Sequence, residues 1–210
     1  MKYVWRKEEP EYYLPKNEPE IIAVPEFKYL TIRGKGNPNN DDFSNRVEIL
    51  YALAYAIKML PKKGFTPEGY FDYTVYPLEG VYDLAVKDKK EFDKDNLIYK
   101  LMIRQPDFVD ENIFKIVKDI VRLKKKSKEV LELIDHVNYE IIEDGLSVQM
   151  MHIGSYDDEI HTFKIMKEFI ENNDLQLKSL AHREIYISDP RKTAPDKIKT
   201  VIRYRVYKKR

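Results

Sequence analysis

The chain has 210 residues, 43% hydrophobic and 35% charged, which is enough apolar sequence to bury a core in one or two domains. Its 37 Lys and Arg nearly cancel its 36 Asp and Glu, so no global field draws in nucleic acid, and direct nucleic-acid binding is not expected. The absence of cysteine excludes disulfides, thiolate nucleophiles and Cys-ligated zinc. No apolar run is long enough to span a membrane and no signal-peptide layout opens the chain, so a cytoplasmic location without membrane association is expected.

Residues 1–25 carry Pro10, Pro15, Pro19 and Pro25 and predict an extended arm, with Ile21 to Val24 adding an edge strand or packing on the body. Phe27 to Arg33 alternates as a strand, and Gly34-Lys35-Gly36-Asn37-Pro38-Asn39 breaks it. A helix capped at Asp41 or Asp42 follows, with Phe43, Val47, Leu50, Tyr51, Ala54 and Ile57 as its stripe. Pro61 and Gly64 stop it. Strands are predicted over 70–76 and 97–104, with Pro77-Leu78-Glu79-Gly80 as a turn and Lys87 to Asp95 as a charged surface loop. Asp110 caps a second helix that buries Ile113, Phe114, Ile116, Val117, Ile120 and Val121, and Val130 to Ile134 docks beyond it. Lys124-Lys125-Lys126 reads as a solvated helix face. Leu146 to Ile153 is a strand, and a helix with Phe163, Met166, Phe169 and Ile170 as its stripe runs to about Glu171. Strands over 182–188 and about 200–207 complete the chain.

The order strand, Gly-containing turn with acidic residues, helix, strand, strand therefore occurs twice. This predicts an α+β single domain. Two β-α-β-β repeats (27–106 and 146–208) flank a helical insertion at 110–134, and a pseudo-two-fold relates them. The expected sheet is antiparallel with helices on one face and a ligand pocket between the halves, since pockets favour such junctions.

The stretch His182-Arg183-Glu184-Ile185-Tyr186-Ile187-Ser188-Asp189-Pro190-Arg191 carries the chemistry. Alternation puts His182, Glu184, Tyr186 and Ser188 on one face and Ile185 and Ile187 on the other. By pattern alone Glu184 is either a solvated acid on a wet sheet face or a partly buried acid among aromatics. In the second case it holds a cationic ligand or acts as a base on bound water. The chain has 16 Tyr and 9 Phe, suited to half-wet sites for planar ligands but also to ordinary strands. The four His show no metal-binding spacing, Gly34-Lys35-Gly36 lacks a phosphate-loop pattern, and there is no Gly-x-Ser-x-Gly elbow. No metal or cofactor is expected.

Several runs carry a resemblance: Arg33-Gly34-Lys35-Gly36-Asn37-Pro38, Pro77-Leu78-Glu79-Gly80, Met102 to Val109, Gln149 to Glu159, and Glu184 to Lys192. In these the chain resembles the GyrI-like small-molecule-binding domain, in particular the stand-alone proteins that include cyclopropanoid hydrolases. The resemblance implies an aromatic pocket that clasps a planar or cationic small molecule, and a pocket glutamate matching Glu184. As a hydrolase, the chain would open a strained cyclopropane with Glu184 as base and Tyr186 orienting the water or donating to a ligand carbonyl. As a binder or sensor, Glu184 would be the counter-charge. The ligand-binding candidates are Phe71, Tyr73, Tyr82, Tyr55, Phe108 and Met151. Phe71 and Tyr73 are placed on the strand that answers the Glu184 strand. The chain departs from the pattern in two places. Val81-Tyr82 stands where an aromatic is expected directly after Gly80, and Arg183 stands where His is expected; alternation points Arg183 to the helix face.

Overall fold

The computed structural model describes residues 2–85, 93–125 and 127–209; most of the charged loop expected over Lys87–Asp95, and Lys126, lie outside them. In chain order the elements are α1 (Trp5–Glu8), α2 (Pro10–Tyr13), β1 (Glu20–Lys35), α3 (Asp41–Lys58), β2 (Leu78–Leu84), β3 (Leu97–Gln105), α4 (Glu111–Arg122), α5 (Lys128–Asp135), β4 (Asn138–Ile153), α6 (Glu159–Asn172), β5 (Leu175–Leu177), β6 (His182–Tyr186) and β7 (Lys199–Lys208). A single 3-10 turn, Tyr156–Asp158, leads into α6. The order β1-α3-β2-β3 recurs as β4-α6-β6-β7 with the short β5 added after α6, and α4 and α5 lie between the two. The pairings β1–β3, β2–β6, β4–β7, β5–β7 and β6–β7 are all antiparallel, which makes the chain α+β.

The chain packs as two compact units. The first comprises the described residues of Met1–Val4, Phe27–Leu78 and Leu84–Ile142. Here Lys28 to Lys35 of β1 pairs with Gln105 to Ile98 of β3. α3 buries Ile49, Leu50, Leu53, Ala54, Ala56 and Ile57; of the predicted stripe Leu50, Ala54 and Ile57 are buried, while Phe43, Val47 and Tyr51 are only half-buried. Its N-cap is Asn40 rather than Asp41 or Asp42, and Asp42 instead pairs with Arg46 one turn on, at 2.9 Å. Asp110 caps α4 as expected, its Oδ1 accepting from the Ile113 amide at 2.8 Å, a contact of about 1 kcal/mol. Ile116 proves exposed.

Residues 70–76 form no strand. Tyr73 makes one parallel bridge to Tyr3, and the segment is held by rings rather than by a ladder. Conversely, Leu78-Glu79-Gly80 is not a turn but the start of β2. Gly80 suits a strand here because a Cβ on it would lie 2.5 Å from Cε2 of Tyr82; the missing side chain is the space that the Tyr82 ring fills.

The second unit comprises Trp5–Glu26, Glu79–Asp83 and the described residues of Glu143–Arg210. β7 is its spine, pairing with β4, β5 and β6, while β6 also pairs with β2. Met166 and Ile170 of α6 pack on Val148, Met150, Leu175, Ile202, Tyr204 and Val206. Each such side chain stabilises the unit by about 1.5–3 kcal/mol when fully buried. The predicted extended arm is instead two single-turn helices followed by the start of β1. Pro10 sits in the first turn of α2, where its missing amide loses no bond, and buried Trp5 packs on Tyr13 with centroids 5.0 Å apart.

Register fixes the faces. Glu184 lies opposite Ile202 and Ile202 opposite Met150, and both apolar residues pack under α6. Glu184 therefore faces α6. Alternation groups His182, Glu184 and Tyr186 as expected, but it is Arg183 that points away from α6. The reason is that Arg183 has fixed partners on that other side. It donates to Glu79 at 2.6 Å and Asp144 at 2.8 Å, while Arg203 donates to Gln149 at 2.8 Å and to the Tyr12 carbonyl at 2.8 Å. Gln149 donates in turn to the Glu11 carbonyl at 2.6 Å and to Glu20 at 2.8 Å. These charges are nearly fully buried, so each requires its partner.

Candidate functional site

The site grows from the alternation of β6. His182 Nε2 donates to Glu184 Oε1 at 3.0 Å, and the Tyr186 hydroxyl donates to Glu184 Oε2 at 2.7 Å. The Tyr186 proton being committed, the Tyr82 hydroxyl, 2.6 Å away, is the donor to Tyr186. A chain of donors thus runs from Tyr82 through Tyr186 to Glu184. β2 places Tyr82 across from His182, on which its ring stacks at 6.0 Å, and places Gly80 across from Glu184. Gly80 lets the Tyr82 ring fold back far enough to reach Tyr186.

Other rings close around the carboxylate. Phe163 of α6 lies edge-on to His182 at 4.7 Å, Tyr204 of β7 lies 5.9 Å from His182, and Tyr156 meets Tyr186 edge-to-face at 5.9 Å. Glu184 itself is 9% exposed. Burial, then the Glu184 charge and Tyr82, raise the Tyr186 phenol well above its ordinary value. Burial first and then the carboxylates of Glu159 and Glu184 push Tyr156 to about 12; burial, Glu184 and Glu159 do the same for Tyr204. These phenols remain donors at any physiological pH.

Two site features were missed from sequence. One is the anchor of the turn before α6. His152 Nε2 donates to the Ser155 carbonyl and its Nδ1 accepts from the Thr162 hydroxyl, each at 2.9 Å, which fixes where Tyr156 and α6 begin. The other is Glu159, the first residue of α6, only 6% exposed, with Oε1 buried and without a hydrogen-bond partner. Burial, then the Glu184 and Asp157 carboxylates, push its carboxyl up to about 9. A signal for it existed: Glu159, Thr162, Met166 and Ile170 recur at the spacing of one buried helix face.

Of the predicted residues, Glu184, Tyr186 and Tyr82 come together. Met151 is buried on the opposite face of the same strands, beside Val201 and Ile185. Phe71, Tyr73 and Phe108 gather with Tyr70 in the first unit, with centroid separations of 5.2–6.1 Å. There the Tyr73 hydroxyl is buried without a partner, and the Lys58 ammonium sits 5.5 Å over the Tyr73 ring. Phe71 and Tyr73 do not lie on the strand that answers β6; that strand is β2. Tyr55 is 53% exposed beside Tyr51. Among the described residues, no group of three His, Asp or Glu side chains is placed to hold a metal ion, and no helix is long and apolar enough to cross a membrane.

Residues 17–206 match the GyrI-like small molecule binding domain. The chain belongs to this family. Three solved structures from Listeria innocua are similar over nearly the whole GyrI-like chain. A hydrolase is 37% identical, with a TM-score of 0.89, covering 99% of this chain and 100% of that one. A further hydrolase structure is 37% identical with a TM-score of 0.87, covering 98% and 100%. An uncharacterized conserved protein is 40% identical with a TM-score of 0.89, covering 98% and 100%. The EcmrR C-terminal domain, 16% identical with a TM-score of 0.54 over 91% of this chain and 98% of that one, shares the fold. No curated protein matches the chain significantly.

Proposed function

We propose that this GyrI-like protein hydrolyses strained, electrophilic, cyclopropane-bearing genotoxic compounds, with Glu184 as the general base. The observation that carries this reading is the donor chain from Tyr82 through Tyr186 to Glu184. Together with His182 it holds both oxygens of one buried carboxylate in a fixed orientation inside a shell of rings. The Listeria innocua hydrolases, similar from end to end, support the choice of reaction class. A planar substrate stacks against the rings. Glu184 takes a proton from water as the water oxygen attacks a ring carbon, and the strained C–C bond opens. Help from a positioned base of this kind is about 10²–10⁴-fold. Tyr186, whose one proton goes to Glu184, acts by orienting that carboxylate toward the water.

A second reading has its own support. Glu184 is a buried carboxyl group ringed by aromatic side chains, and an acidic aromatic site suits a planar cation that is bound and not converted. Glu184→Gln separates the two. For the hydrolase, turnover of a cyclopropane-bearing conjugated ketone falls at least a hundredfold while calorimetric affinity changes little. For a cation binder, affinity for a planar cation falls instead, most at low salt. Wild-type protein that binds the ketone and never converts it refutes hydrolysis.

A further inference from the structure

We propose that Glu159 is the proton donor of this site: its carboxylic acid hydrogen-bonds an acceptor oxygen of the ligand and, in the hydrolytic reaction, passes the proton to it. The hydrolytic part rests on the reading above; the donor role does not.

Three observations point the same way. Glu159 occupies the first position of α6, on the buried face of that helix with Thr162, Met166 and Ile170. Its Oε1 is buried without a hydrogen-bond partner, in a protein whose neighbouring polar groups are bonded at 2.6–3.0 Å. The titratable groups that interact with it through their charges are Glu184 from β6, Asp157 and Tyr156 from the preceding turn, and Tyr204 from β7, with His182 bonded to Glu184. These are carboxylates and phenols. A helix N-terminus favours an anion, but burial and two acidic neighbours oppose it. The result is a carboxylic acid beside a carboxylate, two groups of one type set to opposite tasks by their surroundings.

The atoms balance. The water O–H bond breaks and its proton goes to Glu184 as the new C–O bond forms. The ring C–C bond breaks, and its electron pair passes through the conjugated system to the ligand's carbonyl oxygen. That oxygen takes the proton of Glu159. Glu159 is then ionised and Glu184 protonated, and transfer of one proton between them restores the starting state.

The test uses two probes, a cyclopropane-bearing conjugated ketone and the same ketone without the cyclopropane, with wild type, Glu159→Gln and Glu159→Leu. For the unreactive ketone, wild-type affinity falls about tenfold or more between pH 7 and pH 10 as the donor ionises. Glu159→Gln, which still offers an N–H, binds with a flat pH profile, and Glu159→Leu binds weakly at every pH. For the reactive ketone, the alkaline fall in turnover disappears in Glu159→Gln, and the residual rate is about 10²–10⁴-fold lower. Infrared spectra of ligand-free wild type at pH 7 contain a carboxylic-acid carbonyl band that Glu159→Gln lacks. Wild-type ketone binding that ignores pH, a pH dependence that survives in Glu159→Gln, or an infrared band unchanged by the substitution overturns the donor role. The expected binding profile without turnover in wild type keeps the donor role and refutes hydrolysis alone.

Discussion

Replacing Glu159 by Gln should change how stability depends on pH, in a direction opposite to that of most carboxylates. The folded protein raises this carboxyl from 4.5 to about 9, chiefly by burial. Below about pH 4.5 the group is protonated in both states and the fold is not penalised. Between there and about pH 9 the folded protein holds a proton that the unfolded chain has released. Stability of the wild type therefore falls as pH rises, by about 1.4 kcal/mol per pH unit for one full proton. Glutamine has the same shape and no proton to lose, so it removes this slope. From pH 6 to pH 8 the wild type should lose about 3 kcal/mol relative to Glu159→Gln. Urea unfolding of both proteins at pH 6, 7 and 8 measures the difference, and titrations common to both cancel. Parallel stability curves over this range would refute a protonated Glu159.

Three further outcomes follow from the same geometry. Arg183→Met leaves Glu79 and Asp144 buried without their guanidinium and should destabilise the protein by about 3–5 kcal/mol in urea titrations; a change below about 1 kcal/mol would show that the pair is hydrated. Burial raises Asp144, but Arg183, then Arg203 and Arg205, outweigh it and hold the carboxyl below its ordinary value, so the stability it contributes is present above pH 4 and lost as pH falls below it. Arg183→Met should reduce that part of the acid dependence, with Arg203 and Arg205 still holding the carboxyl down. Gly80→Ala pushes a methyl into the Tyr82 ring, and Tyr82→Phe removes its hydroxyl. Both should lower turnover more than stability, and equal wild-type rates in the two variants would remove the donor chain from the mechanism.

What the sequence made legible depended on whether a local pattern or a distant partner decides the outcome. The strand at Glu184 and the sharing of one face by His182, Glu184 and Tyr186 follow from period-two alternation. The Asp110 cap and the recurring β-α-β-β order follow from equally local signals. Which side that face looks toward is not local. Arg183 needs Glu79 and Asp144, 104 and 39 residues away, and their burial sends Glu184 under α6. The misreadings at 70–80 have a similar origin. Tyr70 to Tyr76 alternates like a strand, yet its rings find one another and Phe108 instead of a ladder. Leu78-Glu79-Gly80 has the composition of a turn, but Gly80 is small for the sake of the Tyr82 ring two residues on.

The same distinction explains why Tyr82, and not an aromatic directly after Gly80, serves the site. In β2 the residue after Gly80 points to the far face, with Glu79 and Arg183 two strand positions apart on that side. Tyr82 returns to the near face, opposite His182, and its ring spans back over Gly80 to reach Tyr186. An aromatic at Val81 would therefore be added to the Arg183 side and could not replace Tyr82 without a shift in register. Val81→Trp should leave the Tyr82-to-Glu184 donor chain intact, and with it any pH dependence that Glu159 sets. A loss of that pH dependence in Val81→Trp would place the missing aromatic inside the site and refute the register argument.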